Sequence, residues 1–274
     1  MSEQEKFFVV VDPTLDQHVA LDRAIITAKL MDIEPQLCIF VAVDVASDEA
    51  NDRDAEFTRN SCWFDSNVHE PLRAAGLEYQ IEISWATHWQ KAVMSAAQKY
   101  SATRILVPAG KPKKSRRMIF SESKWKLLKR AFCPVILVRE GASPQRKTVL
   151  AAVNFQVTHG LQKTLNKNII SRGERLAKSY GADFHVVNAY IDSMLYPDRG
   201  MLARATGLSS SHIHVVQGYT DEGIAQVAQA LSADVVVVGT LGQTGQVRNL
   251  RGNTVERVIS ALDVDVVVVN SEYQ

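Results

Sequence analysis

Short runs of apolar, mostly β-branched residues alternate along the chain with longer stretches whose apolar positions recur at helical spacing. Phe7 to Val11, Leu37 to Val45, Tyr79 to Trp85, Arg104 to Val107 and Val135 to Val138 have the length and character of strands. Between them, Asp16 to Met31, Trp89 to Tyr100 and Glu122 to Ala131 place apolar residues on one helical stripe. Strand-sized runs separated by helices of this length predict βαβ units and a parallel sheet. The order then repeats. Thr148 to Val153, Phe184 to Ala189, His212 to Gln217, Val235 to Val238 and Val266 to Val269 read as strands, with helices over Asn168 to Tyr180, Ile224 to Leu231 and Thr254 to Leu262. In both runs the weakest pattern lies between the second and third strands, at Ala46 to Gly76 and Asp192 to Ser211, and each is expected to hold a helix.

The first strands end at Asp12 and Asn154, and the last begin at Val135 and Val266, so the second run is a near copy of the first with altered loop lengths. This predicts two tandem α/β domains, 1–142 and 146–274, joined where Glu140-Gly141-Ala142-Ser143-Pro144-Gln145 has the composition of a linker. A length of 274 residues agrees with two domains. Lys and Arg number 31 against 30 Asp and Glu, which argues against a globally basic nucleic-acid binder. Cys38, Cys62 and Cys133 show no CxxC spacing, so neither a disulfide framework nor a zinc site is suggested. The start MSEQEKFFVVVDP lacks the pattern of a signal peptide, and no apolar run approaches the about 20 residues of a spanning helix. The expectation is a cytoplasmic chain without membrane insertion.

The segment from Val235 to Asn270 carries the most chemistry. A buried strand runs into Gly239, Gly242 and Gly245, and Gly252-Asn253-Thr254 then opens a helix. Strand, glycine-rich loop and helix start can hold phosphate: glycines let backbone N–H groups approach oxygens, and the helix start supplies unpaired N–H groups. Arg248 and Arg251 could add charge-assisted bonds. The loop is neither a Walker A loop nor GxGxxG. Asn253 followed by Glu256 also reads as an ordinary helix N-capping pair.

Gly239-x2-Gly242-x9-Gly252-Asn253-Thr254 resembles the ATP-binding signature of the universal stress protein family, and Val216-Gln217-Gly218-Tyr219, Ile224 to Leu231 and Ala233-Asp234-Val235 resemble the stretch that precedes it. The likeness is to tandem, two-domain members. It implies in each domain a doubly wound, mostly parallel sheet of five strands in the order 3-2-1-4-5, with helices on both faces. Ligand in such a sheet sits at the carboxyl ends of the strands where the order reverses. By position, the resemblance gives Asn154 the contact to the nucleotide sugar or base and places Asn188 and Ala189 near adenine. It gives Gly239, Gly242, Gly252, Asn253 and Thr254 the phosphates. Asn154 stands where the family carries an acid, and Asn253 where it carries a Ser or Thr hydroxyl. The ligand implied is ATP or another adenine nucleotide, with or without Mg2+.

The first copy lacks the signature. Pro108, Lys111, Ser121 and Glu122 fall where the second copy has Gly239, Gly242, Gly252 and Asn253. It is expected to be structural, pairing with the second copy as family dimers do, or to serve another ligand or partner. Between Lys111 and Arg130 nine cations face the single acid Glu122. That stretch is either a solvated outer face or an anion site for a protein, nucleic acid or lipid. Trp125, Leu128 and Phe132 at helical spacing would face the sheet and leave the lysines outward. Aromatics for base stacking are few there, which argues against nucleic acid.

His212 and His214 would share a strand face, more in the manner of ordinary histidines than of a metal site. Trp85, His88 and Trp89 lie at a strand-to-helix turn as core and cap or as a cleft lining. No residue set suggests catalysis beyond weak ATP hydrolysis. The sequence thus predicts a stress-response regulator that binds an adenine nucleotide in its second domain, with an unidentified protein partner and an internal pseudo-dimer or further homodimer. An interaction scaffold built on the 111–130 stretch, or a slow nucleotide hydrolase, is the alternative.

Overall fold

A computed structural model describes residues 4–13, 15, 17–44, 61–86, 88–109, 122–157, 159–241 and 254–271. The chain divides into two compact units. Described residues of 4–109, with 122–127 and 133–140, form the first; those of 128–132 and 141–271 form the second.

In the first unit the strands are β1 (Lys6–Val11), β2 (Gln36–Asp44), β3 (Tyr79–Ala86), β4 (Arg104–Pro108) and β5 (Val135–Val138). They lie in the order β3-β2-β1-β4-β5, all parallel, with Phe8 between Cys38 and Ile105. The reason is the unbroken apolar character of the central strands. Both faces of a parallel sheet are covered, so its central strands are apolar on both faces. Phe7, Phe8 and Val9 are wholly buried accordingly. The helices are α1 (Val19–Lys29), α2 (Ser61–Phe64), α3 (Glu70–Ala75), α4 (Trp89–Tyr100) and α5 (Glu122–Arg130), with a π-helical turn, Asp65–His69, between α2 and α3.

The second unit has the same plan. Its strands β6 (Thr148–Ala152), β7 (Asp183–Tyr190), β8 (Ile213–Gln217), β9 (Val235–Thr240) and β10 (Asp265–Asn270) take the order β8-β7-β6-β9-β10. Every pair is parallel, with Leu150 opposite Val236 and Ala151 opposite Val186. Its helices are α6 (Gly160–Tyr180), α7 (Arg199–Thr206), α8 (Thr220–Ala230) and α9 (Thr254–Ala261). The expected α/β class and the strand order 3-2-1-4-5 are thus present in each unit.

Several boundaries differ from the sequence pattern. Helix α6 begins at Gly160, two turns before the expected Asn168. Those turns are polar on most faces, and only Leu165 and its neighbours pack inward, so periodicity alone undercounts them. In α5 the buried residues are Leu127 and Leu128, while Phe132 is over a third exposed. Of the expected inward stripe of Trp125, Leu128 and Phe132, Leu128 is buried, Trp125 only partly so, and Leu127 and Ala131 take the place of Phe132. His212 lies in a 3-10 turn, Ser210–His212, before β8 rather than on the strand. His88 immediately precedes α4, and Trp85 on β3 is half exposed, so Trp85 is neither core nor cap.

Candidate functional site

In the second unit, the strand order reverses at β6, which has β7 on one side and β9 on the other. Crossover helices leave this point in opposite directions, and a crevice opens at the carboxyl ends of β6 and β9. A cavity of about 530 Å³ occupies it. Asn154 follows β6, Ala189 ends β7, Gly239 and Thr240 end β9, and Thr254 opens α9; all four segments line the cavity. Of the residues singled out from the sequence, Asn154, Ala189, Gly239 and Thr254 therefore converge. Gly242, Gly252 and Asn253 lie outside the described residues, as do Arg248 and Arg251.

Asn188 does not line the cavity. Its side chain is wholly buried beneath the loop that follows β6. Its Oδ1 accepts the Phe155 N–H at 2.6 Å, and its Nδ2 donates to Gln156 Oε1 at 3.2 Å and to the Ala189 carbonyl at 3.1 Å. Residue 188 thus anchors the loop from below, because alternation along β7 turns Asn188 inward.

The loop is held from the other side by helix α6. Asn166 Oδ1 accepts the Asn154 N–H at 3.0 Å, and Asn166 Nδ2 donates to the Asn154 carbonyl at 2.7 Å. Gln162, one turn earlier, donates to the same Oδ1 at 3.0 Å. Asn154 Oδ1 accepts the Gln156 N–H at 3.2 Å, the Asx-turn geometry of a residue that ends a strand. These bonds consume the backbone groups of residue 154 and its side-chain oxygen, and they fix the position of the side chain at the cavity wall. Gln156, Gln162 and Asn166 were not legible as site residues. Only the i, i+4 spacing of Gln162 and Asn166 on one helix hints at them, and it acquires meaning once α6 is known to start at Gly160.

Gly239 has a role other than the one its place in a glycine-rich run suggested. A Cβ built on it would lie 2.7 Å from Leu165 Cγ, Leu165 Cδ1 and Ile169 Cδ1. The missing side chain lets α6 close onto the sheet, and Leu165 and Ile169 thereby become part of the cavity wall. Ala189, Ile191, Leu195, Ile224 and Val258 make the remainder largely apolar. Among the described residues lining it there is no carboxylate and no imidazole.

The corresponding point of the first unit is built differently. Lys124 of α5, expected to face outward, turns inward, and its Nζ donates to the carbonyl oxygens of Pro108 at 3.1 Å and Ala109 at 3.2 Å. These are the carbonyls at the end of β4, the strand equivalent to β9. Burial pushes the Lys124 ammonium down from its ordinary value, and nearby Asp12 at the end of β1 opposes that shift. A side-chain cation here occupies the carboxyl end of the strand where the second unit has a cavity.

Beside β7 and β8, His185 and His214 are hydrogen-bonded between Nδ1 and Nε2 at 3.1 Å, and the ring of His212 stacks on His185 at 4.6 Å. The sequence showed two of these three and missed His185, which arrives from the neighbouring strand. His212 Nδ1 is engaged with the Ser209 and Ser211 hydroxyls. Among the described residues no group of three His, Cys, Asp or Glu is arranged to hold a metal ion.

With the geometry in hand, residues 193–270 match the family model described as the universal stress protein family. Universal stress protein E of Escherichia coli K12 is 26% identical, with 100% of this chain and 96% of that protein covered. The protein of the same name from Photorhabdus laumondii is 23% identical over 99% of this chain and 96% of its own length. The chain thus resembles tandem universal stress proteins along its whole length. Among solved structures, a functionally unknown protein from Pseudomonas aeruginosa PAO1 is 25% identical with a TM-score of 0.75, covering 98% of this chain and 93% of that one. A universal stress protein from Archaeoglobus fulgidus shares the fold at 15% identity, with a TM-score of 0.71 and 96% of each chain covered. The matched span begins just before α7 and runs through β10, and so includes the β9 end, Thr254 and the start of α9. No helix among the chain's described residues is long and apolar enough to cross a membrane.

Proposed function

We propose that this chain is a stress-response regulator that binds an adenine nucleotide, ATP or a close relative, in the second-unit cavity. The observation that carries the reading is the convergence of Asn154, Ala189, Gly239 and Thr254 on one cavity at the reversal point of the strand order. About 530 Å³ lies within the range of small-molecule sites, and an apolar wall with few polar groups suits a purine. Asn154, pinned by Asn166, can offer its side-chain amide to a ribose hydroxyl. Thr254 at the head of α9 adds a hydroxyl and the positive end of a helix dipole, which favours phosphate. Gly242, Gly252 and Asn253 complete the phosphate loop in this reading, with or without Mg2+.

We favour binding over turnover: the described lining holds no carboxylate or imidazole, the commonest groups to take a proton from water. The first unit takes a structural part, its strand end already engaged by Lys124. Mass spectrometry of ligand released from freshly purified protein, followed by calorimetry with ATP, tests the proposal. One adenine nucleotide per chain is expected, with affinity falling at least tenfold in Asn154→Leu and lost in Gly242→Val. Absence of both released nucleotide and heat, or unchanged affinity in Gly242→Val, overturns it.

A further inference from the structure

Helix α6 presents two different stripes. Gln162, Leu165 and Ile169 face the strand-end cavity, whereas Lys163, Lys167, Ile170 and Glu174 face a separate groove. The groove has a volume of about 840 Å³, and Met201, Arg204 and Ala205 of α7 form its other wall. Both walls are set by local chemistry. The two early turns of α6 bring Lys163 and Lys167 to the groove. On the other side, Asp198 caps α7 by accepting the Gly200 and Met201 N–H groups at 2.7 and 3.2 Å. Arg199 holds that helix to β8 by donating to the Ile213 carbonyl at 2.8 Å.

The groove combines two features that water alone does not satisfy. Phe155, Ile170 and Met201 give it apolar surface, and Met201 is 40% exposed. Lys163, Lys167 and Arg204 stand around that surface against one carboxylate, Glu174. Among the described residues none of these three cations makes a hydrogen bond or ion pair. Three like charges lining one concave surface raise its potential and concentrate anions there. Apolar surface between them selects an anion that carries a hydrocarbon stem, because only such a ligand satisfies both parts.

We propose that the groove between α6 and α7 is a second ligand site, for an amphipathic anion with a carboxylate or phosphate head and an unbranched apolar stem. The head lies among Lys163, Lys167 and Arg204, and the stem covers Phe155, Ile170 and Met201. The site stands independently of the nucleotide reading, since α6 turns different residues to each.

Calorimetric titration with sodium decanoate and with decyl phosphate, both below their micelle concentrations, tests this on the full chain. One saturable site is expected for each, absent for acetate and inorganic phosphate and for decyltrimethylammonium. The double variant Lys163→Glu/Arg204→Glu should weaken decanoate at least tenfold, and Met201→Ser should weaken it several-fold without changing the charge of the groove. All three substituted positions are exposed, and far-UV circular dichroism verifies the fold. Vesicles of phosphatidylglycerol distinguish a lipid headgroup from a free acyl anion: co-sedimentation abolished by the double variant assigns the anion to lipid. No saturable binding, equal binding of decyltrimethylammonium, or unchanged affinity in both variants overturns the site. Loss of decanoate binding on adding ATP would place the ligand in the strand-end cavity and overturn it equally.

Discussion

Gly239→Ala separates two meanings of a glycine. The backbone of Gly239 is ordinary strand, paired in register with Val269 of β10. Conformational freedom is therefore not what the residue supplies there. Space is: a Cβ would meet Leu165 Cγ and Cδ1 and Ile169 Cδ1, each at 2.7 Å, closer than carbon atoms in contact stand. Leu165 is 3% exposed and Ile169 2%, so neither can swing into solvent. Overpacking of this kind costs about 1–3 kcal/mol. With a urea slope of about 2 kcal/mol per molar, the unfolding midpoint followed by far-UV circular dichroism should fall by roughly 0.5–1.5 M. Leu165→Ala removes two of the three clashing atoms. That change alone costs about 2–5 kcal/mol, and in its background Gly239→Ala should be neutral or stabilising, because the new methyl enters the space left behind. The coupling between the two positions should exceed about 1 kcal/mol with a sign opposite to the single penalty. Equal penalties in both backgrounds would refute the packing argument and return Gly239 to a role in approach to ligand.

Two further predictions concern charge. Arg146 and Asp265 form an ion pair at 2.6 Å with both side chains all but inaccessible. Asp265→Ala strands the guanidinium and should cost about 3–5 kcal/mol, while Arg146→Met/Asp265→Leu should recover most of it; a double variant as unstable as the single one would show that the pair's geometry, not its burial, matters. Burial, and then the neighbouring charges of His185, Arg199 and His212, hold His214 below its ordinary value of 6.5. Burial and His212 lower His185, against an opposing pull from Asp183. The unfolded chain then binds more protons than the folded one below about pH 6.5. Stability from this cluster should be fully present above that pH and be lost as pH falls through it, and His185→Gln should flatten the slope in urea titrations between pH 7.5 and 5.5. A slope unchanged by the substitution would locate the pH dependence elsewhere.

The strands were legible because each is a short apolar run needing no partner to be recognised. Trp89–Tyr100 as a helix and Val135–Val138 as a strand coincide with the sequence pattern to the residue. The cavity residues Asn154, Ala189, Gly239 and Thr254 were legible through position in the repeat and a spacing of glycines. What stayed hidden depends on contacts between distant segments. Lys124 reads as one more surface lysine until α5 is docked and its Nζ meets the Pro108 and Ala109 carbonyls. Asn188 reads as a ligand contact until β7 is paired, when alternation turns it under the loop and onto the Phe155 N–H. His185 joins His212 and His214 only because β7 lies beside β8. Periodicity and apolar run length are local quantities, so the sequence by itself determined most of the elements, their order and the strand end at which a cavity opens. Which side chains face a cavity, which plug it and which carry charge into a groove was decided by tertiary packing, since burial and hydrogen-bond partners exist only once the elements meet.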